Sequence, residues 1–205
     1  MGDDELVSLN QIHKSFETDD LELVTTTNAL VEITIYPEKN KRGDLNVRLH
    51  FGRVDGAINK QDPSYAYVAF LEWANTPEDV QTVFGIGPSE RIWSSQGREG
   101  MDFTEAWTFM ENSGHEIVCV KKRAVEIALY HAQDDEGNSL PGVGIQLHFG
   151  DIDAGIDEKS KAYDCPAWMD SNFAPSMKGM FSLDDIPIAF GIDPDKKMWI
   201  VGDPG

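Results

Sequence analysis

The chain has 205 residues, of which 40% are hydrophobic, 10% aromatic and 26% charged, the make-up of a folded protein. Its 36 acidic residues against 17 basic ones leave a net charge of −19, which repels phosphate backbones and anionic lipid surfaces and argues against direct nucleic-acid or membrane binding. Two cysteines without paired spacing point to neither a disulfide framework nor a zinc site, and no apolar run is long enough to span a bilayer, so a reducing, cytoplasmic setting is expected.

Residues 7–17 place Leu9, Ile12 and Phe16 at helical spacing behind Ser8, a good N-cap, and predict a short amphipathic helix. From Leu21 to Tyr36 β-branched residues dominate, and the pattern is read as two strands joined at Thr27–Ala29. A polar turn over Pro37–Asp44 leads into a strand in which Val47, Leu49 and Phe51 alternate with Asn46, Arg48 and His50, then bend at Gly52 into a further strand over Val54–Ile58. Residues 78–93 read as a strand ending in a tight Gly-x-Pro turn, then a final strand whose Trp93 is expected to anchor the core. A polar linker, Ser94–Met101, follows.

The same order then returns. Leu49–Ile58 matches Leu147–Ile156 at six of ten positions, and Leu21–Tyr36 matches His115–Tyr130 at six of sixteen. Glu78–Trp93 matches Asp184–Trp199 through Phe84, Gly85, Ile86, Pro88 and Trp93, and the helix at 7–17 has its echo over Asp102–Glu111, where Phe103, Ala106 and Met110 share a face. The two short connections at Thr27–Ala29 and Lys121–Arg123 correspond, while residues 60–77 and 158–183 do not align. The expected fold is therefore α+β, a tandem duplication with copies at 1–97 and 98–205, each a short helix plus an antiparallel sheet of about five strands.

Three groups of residues invite a chemical reading. His50 and His148 occupy matching strand positions, each followed five residues later by Asp55 or Asp153, and a His–Asp pair is half of many acid–base sites. No nucleophile recurs beside them, so a histidine bonded to a cross-strand or turn carboxylate is the favoured structural reading. Asp151, Asp153, Asp157 and Glu158 have the spacing of a cation-binding loop but lack the Gly and Glu that a full calcium loop needs. Aromatic residues gather in the segments that do not align, among them Tyr65, Tyr67, Trp73, Tyr163, Trp168 and Phe173.

In size, acidity and layout the chain resembles small bacterial toxin-immunity proteins. That likeness, with the charge, implies a non-enzymatic inhibitor that docks on a basic protein such as a nuclease toxin or another nucleic-acid-binding protein, needs no cofactor or metal, and contacts its partner through Asp134, Asp135, Glu136, Asp151, Asp153, Asp157 and Glu158, with Trp168 and Phe173 as apolar anchors. The alternatives are a small-ligand or calcium-assisted carbohydrate-binding module, a hydrolase using the histidines, and a structural or assembly protein.

Overall fold

The computed structural model describes residues 6–11, 22–61, 67–72, 74–94, 96–97, 99–134, 136–169, 183–193 and 195–201. Its strands are β1 (Leu6–Ser8), β2 (Glu22–Lys39), β3 (Leu45–Arg53), β4 (Tyr67–Leu71), β5 (Trp93–Ser94), β6 (Ile117–Gln133), β7 (Ser139–Gly150), β8 (Ala167–Met169) and β9 (Lys197–Val201). The helices that lie wholly within the described residues are α1 (Pro77–Phe84), α2 (Phe103–Ser113) and α3 (Asp185–Phe190). The fold is thus α+β and mostly strand.

Among the described residues these strands form one antiparallel sheet in the order β1-β9-β2-β3-β4-β8-β7-β6-β5, and β2 also pairs with β6. The pairings β2–β3–β4–β8–β7–β6–β2 close a circuit, so the sheet curls on itself. Both halves of the chain contribute to it.

The long strands are one finding that differs from the reading of the sequence. Neither Thr27–Ala29 nor Lys121–Arg123 turns; each lies in the middle of an unbroken strand. The reason is mutual pairing: β2 and β6 run antiparallel from Leu23 opposite Leu129 to Ile35 opposite Ile117, which satisfies the backbone of both through their midpoints. Ala29 faces Arg123 at the centre, and the interval between them equals that between the matching segments, so the register reads the same from either strand. β4 on β8 repeats this, with Phe70 opposite Trp168. The sheet pairing is therefore approximately two-fold about these two pairs.

Alternation places odd-numbered residues of the central strands on one face, where Val31, Ile33, Leu49, Ala69, Ile127, Leu147 and Ala167 are buried. Burying each such branched side chain contributes about 1.5–3 kcal/mol. The helices cover this face. Phe84 of α1 packs on Phe149 of β7 with ring centroids 5.0 Å apart, and Phe190 of α3 packs on Phe51 of β3 at 4.9 Å, so the helix of each half lies on the strand of the other.

The helix α2 forms where its sequence pattern put one, capped by Asp102 and Glu105 in a reciprocal box and burying Phe103, Ala106, Trp107 and Met110. The segments at 78–84 and 184–190 are helices and not strands. Thr76 caps α1 by accepting from the Asp79 amide, Pro77 occupies the first turn, and Gly85 ends the helix in the left-handed conformation at φ 60°. Pro187 likewise sits early in α3, where its missing N–H costs nothing, and Gly191 closes that helix at φ 62°.

Other corrections are local. Val7 and Ser8 lie in β1, Leu9–Gln11 are helical, and the rest of the expected first helix lies outside the described residues. Val54–Ile58 is a turn that folds back, not a strand. Trp93 is only half-buried, and its neighbour Ile92 takes the core position. The expected linker is held at both ends, where Ser94 and Met101 are buried and Met101 exchanges backbone hydrogen bonds of 3.0 and 3.1 Å with Ile92, while Gln96, Gly97, Glu99 and Gly100 between them are exposed.

Candidate functional site

Each half buries a histidine against a carboxylate on the sheet face opposite the main core. His50 of β3 stands directly across from Glu32 of β2, with Nδ1 3.2 Å from Oε1. His148 of β7 stands across from Glu126 of β6, with the same atoms 3.1 Å apart. Both imidazoles are buried, because the chain leaving β3 or β7 doubles back over them. Glycine permits that return. A Cβ on Gly150 would lie 2.1 Å from the Gly155 carbonyl oxygen, and one on Gly52 would lie 2.9 Å from Ile58 Cδ1.

The return segments complete the two sites differently. In the first half Lys60 Nζ approaches the second carboxylate oxygen of Glu32 at 3.7 Å. In the second, the Tyr163 ring stacks on His148 with centroids 3.9 Å apart, and its hydroxyl donates to Glu126 Oε1 at 3.1 Å. Bonding to His148, and then to Tyr163, holds the Glu126 carboxyl below its ordinary range despite burial. Burial and the neighbouring Glu126 push the Tyr163 phenol up to about 12, so it stays a donor at neutral pH. Nearby Glu22 is raised, chiefly by burial.

The partners foreseen for these histidines were Asp55 and Asp153, and both instead lie exposed in the turns. The glutamates were legible as the shared Val-Glu-Ile of the two matching segments, but locating them requires the strand register. The cross-strand arrangement ties β2 to β3 and β6 to β7 and clamps each return segment. Both cysteines are buried, and burial raises each thiol to about 11, so neither is an activated nucleophile.

The acidic residues expected to meet a partner fall in two places. Asp134 and Glu136 lie in the hairpin before β7, where Asp134 accepts from the Glu136 and Asn138 amides; Asp135 and Phe173 lie outside the described residues. Asp151, Asp153, Asp157 and Glu158 are exposed on the return segment after β7. The length of β7 separates the groups, roughly 40 Å at the rise of an extended strand. Within the second group Asp151 caps its own turn, accepting from the Asp153 and Ala154 amides at 2.9 and 3.1 Å, and Asp157 accepts from Lys159 at 3.0 Å. Among the described residues no three His, Cys, Asp or Glu side chains are grouped to hold a metal. Trp168 is half-buried, donates to Glu72 Oε2 at 2.7 Å and meets Tyr130 edge-on, so its indole is engaged within the sheet.

A cleft of about 410 Å³ opens between the β3 return segment and the end of α3. Phe51, Phe190 and Ile188 give it an apolar wall, and Asn28, Arg53 and Asp55 give it a polar rim. Ile188 is 56% exposed there, one of few large apolar side chains left in solvent among the described residues. No family model, curated protein or solved structure matches this chain.

Proposed function

We propose that the protein is a non-enzymatic binding protein of the immunity type, which inhibits a basic partner such as a nuclease toxin by docking an acidic face upon it. One observation carries this reading: Asp151, Asp153, Asp157 and Glu158 are all exposed on a single return segment, in a chain whose net charge is −19. Such a concentration speeds the encounter with a basic surface, and the rate it adds is lost as salt screens it. The corresponding segment of the first half is mixed in sign, with Arg53, Asp55, Asn59 and Lys60 at the same places. The return segment and the Asp134–Glu136 hairpin lie too far apart for one interface of ordinary size, and the return segment is the docking face. We also read the halves 1–97 and 98–205 as copies of one ancestral unit; the symmetric register of β2 on β6 and the crossed helix packing support that reading.

The test is affinity capture from the native host's lysate at low and high salt, followed by binding kinetics with whatever basic protein is released by salt. Asp153→Lys with Glu158→Lys reverses two charges without touching the side chains that cap the turns. Association should slow several-fold at low salt and little at high salt. The proposal fails if no basic protein is captured, or if the double reversal leaves association unchanged while binding remains.

A further inference from the structure

The two halves differ at the centre of their shared pairing, and the difference opens a site. Arg123, on β6, is 8% exposed, and its guanidinium lies against Gly85 at the carboxyl end of α1: a Cβ on that glycine would fall 2.4 Å from Nη1 and 2.8 Å from Cζ. Asp151 holds the same guanidinium electrostatically from the edge. The last carbonyls of a helix suit a cation.

In the other half the corresponding residues are Ala29 on β2 and Gly191 at the end of α3, and a Cβ on Gly191 would meet nothing within 4 Å among the described residues. The 410 Å³ cleft lies beside Gly191, bounded also by Phe51, Gly52 and Phe190; these four are the counterparts of Gly85, against which Arg123 lies, and of Phe149, Gly150 and Phe84. Among the described residues the molecule thus fills one of two like places with its own arginine and leaves the other open.

We infer that this cleft receives an arginine side chain from the protein's partner, seated where Arg123 sits in the opposite half. The inference rests on the proposed docking on a basic protein and names the contact that anchors it. The methylene stem would lie on Phe51, Phe190 and Ile188, and Asp55 on the rim would take the guanidinium. Arg53 stands where Asp151 stands in the filled half and opposes a cation, which keeps a single arginine weak without the rest of the interface and gives the inference a sign to test.

The probe is acetyl-Gly-Arg-Gly-amide, titrated to millimolar concentration into the ¹⁵N-labelled full chain, with the citrulline and glutamate peptides as controls. The amide signals of Gly52, Asp55 and Gly191 should shift and saturate with the arginine peptide alone. Asp55→Asn should weaken binding about threefold and Arg53→Gln should tighten it by a similar factor, the scale of one exposed charge. Ala29→Arg should abolish binding, and Arg123→Ala, with spectral dispersion confirming the fold, should add a second site marked by Gly85, Gly150 and Asp153.

Saturable shifts with the glutamate peptide, weakened by Arg53→Gln, would overturn the inference in favour of an anion site, and so would the absence of saturable shifts in the cleft. If a captured basic partner binds Ala29→Arg as tightly as the parent, the cleft is not the anchor although docking stands. If no basic protein binds at all, docking itself fails, whatever the peptide does.

Discussion

Alanine at Gly85 and at Gly191 provides a stability comparison in which the backbone cost cancels. Both glycines end a helix in the left-handed region, at φ 60° and 62°, so each substitution costs about 1–2 kcal/mol from backbone strain alone. At Gly191 nothing further is met among the described residues, and the total stays there. At Gly85 the new methyl carbon would stand 2.4 Å from Arg123 Nη1, more than an ångström inside ordinary contact at roughly 3.5 Å. The guanidinium must leave its seat, and overpacking of this kind adds about 1–3 kcal/mol. Gly85→Ala is therefore expected to cost about 2–5 kcal/mol and Gly191→Ala about 1–2, a gap of several degrees in melting temperature for a chain of this size. Urea titration followed by tryptophan fluorescence measures both, and repeating Gly85→Ala in an Arg123→Ala background isolates the contact, since there its cost should fall to that of Gly191→Ala. Equal costs at the two glycines, within about 0.5 kcal/mol, would refute the reasoning that one place is filled and the other open.

Gly150→Ala should destabilise by more than Gly52→Ala, because the first methyl would meet a backbone oxygen at 2.1 Å and the second the end of the Ile58 side chain at 2.9 Å; thermal melts that rank them in the opposite order would contradict the close-approach argument. Glu126→Gln tests the His148 clamp through pH. The Glu126 carboxyl is held below its ordinary 4.5 by His148 first, so its contribution is complete above that value and is lost as pH falls through the folded-state pKa. The melting-temperature gap between parent and variant should be widest above pH 5 and close in stronger acid, and a gap constant down to pH 3 would count against the clamp. Glu22, raised by burial, acts oppositely, stabilising in acid and losing that contribution as pH rises through its folded value. Cys119 and Cys165, both raised to about 11 by burial, should react with a disulfide reagent at pH 7.5 roughly a hundredfold slower than in the urea-unfolded chain, and equally fast labelling of the folded protein would show that the thiols are not held as described.

What was legible in the sequence was whatever depends on neighbours along the chain. The α2 helix, with Asp102, Glu105 and the buried spacing of Phe103, Ala106 and Met110, is local, and so is the alternation through Val47, Leu49 and Phe51. The long β2 and β6 strands were not, because pairing with each other holds Thr27–Ala29 and Lys121–Arg123 straight. The α1 helix was missed although its signals were present: Thr76 before Pro77, acids in the first turn and Gly85 after Phe84. β-branched Val80 and Val83 favour a strand locally, and the caps outweigh them. The relation of β4 to β8 was hidden because residues 60–77 share few identities with the second half; Ala69, Phe70 and Leu71 match Ala167, Trp168 and Met169 in spacing without a gap from Leu49 and Leu147 onward. For the candidate site, the histidines were legible as a repeated position, but their glutamates and the cleft beside Gly191 follow only from which strands meet.

The place where the halves differ most in consequence is also where they touch. In a symmetric pair of separate chains, residues on the two-fold meet their own kind: arginine at both central positions would bury two guanidinium groups on adjoining strands, and alanine at both would leave two open clefts. Burying a second guanidinium beside the first costs several kcal/mol, and each open cleft forgoes the contacts that Arg123 makes with α1. A single chain is free of that constraint, because Ala29 and Arg123 are specified separately. It can use one position to secure the helix packing and keep the other for a partner. The direct opposition of Ala29 and Arg123 in the β2–β6 register is therefore the physical ground for expecting one arginine-sized site per molecule, and for expecting Arg123→Ala to make two.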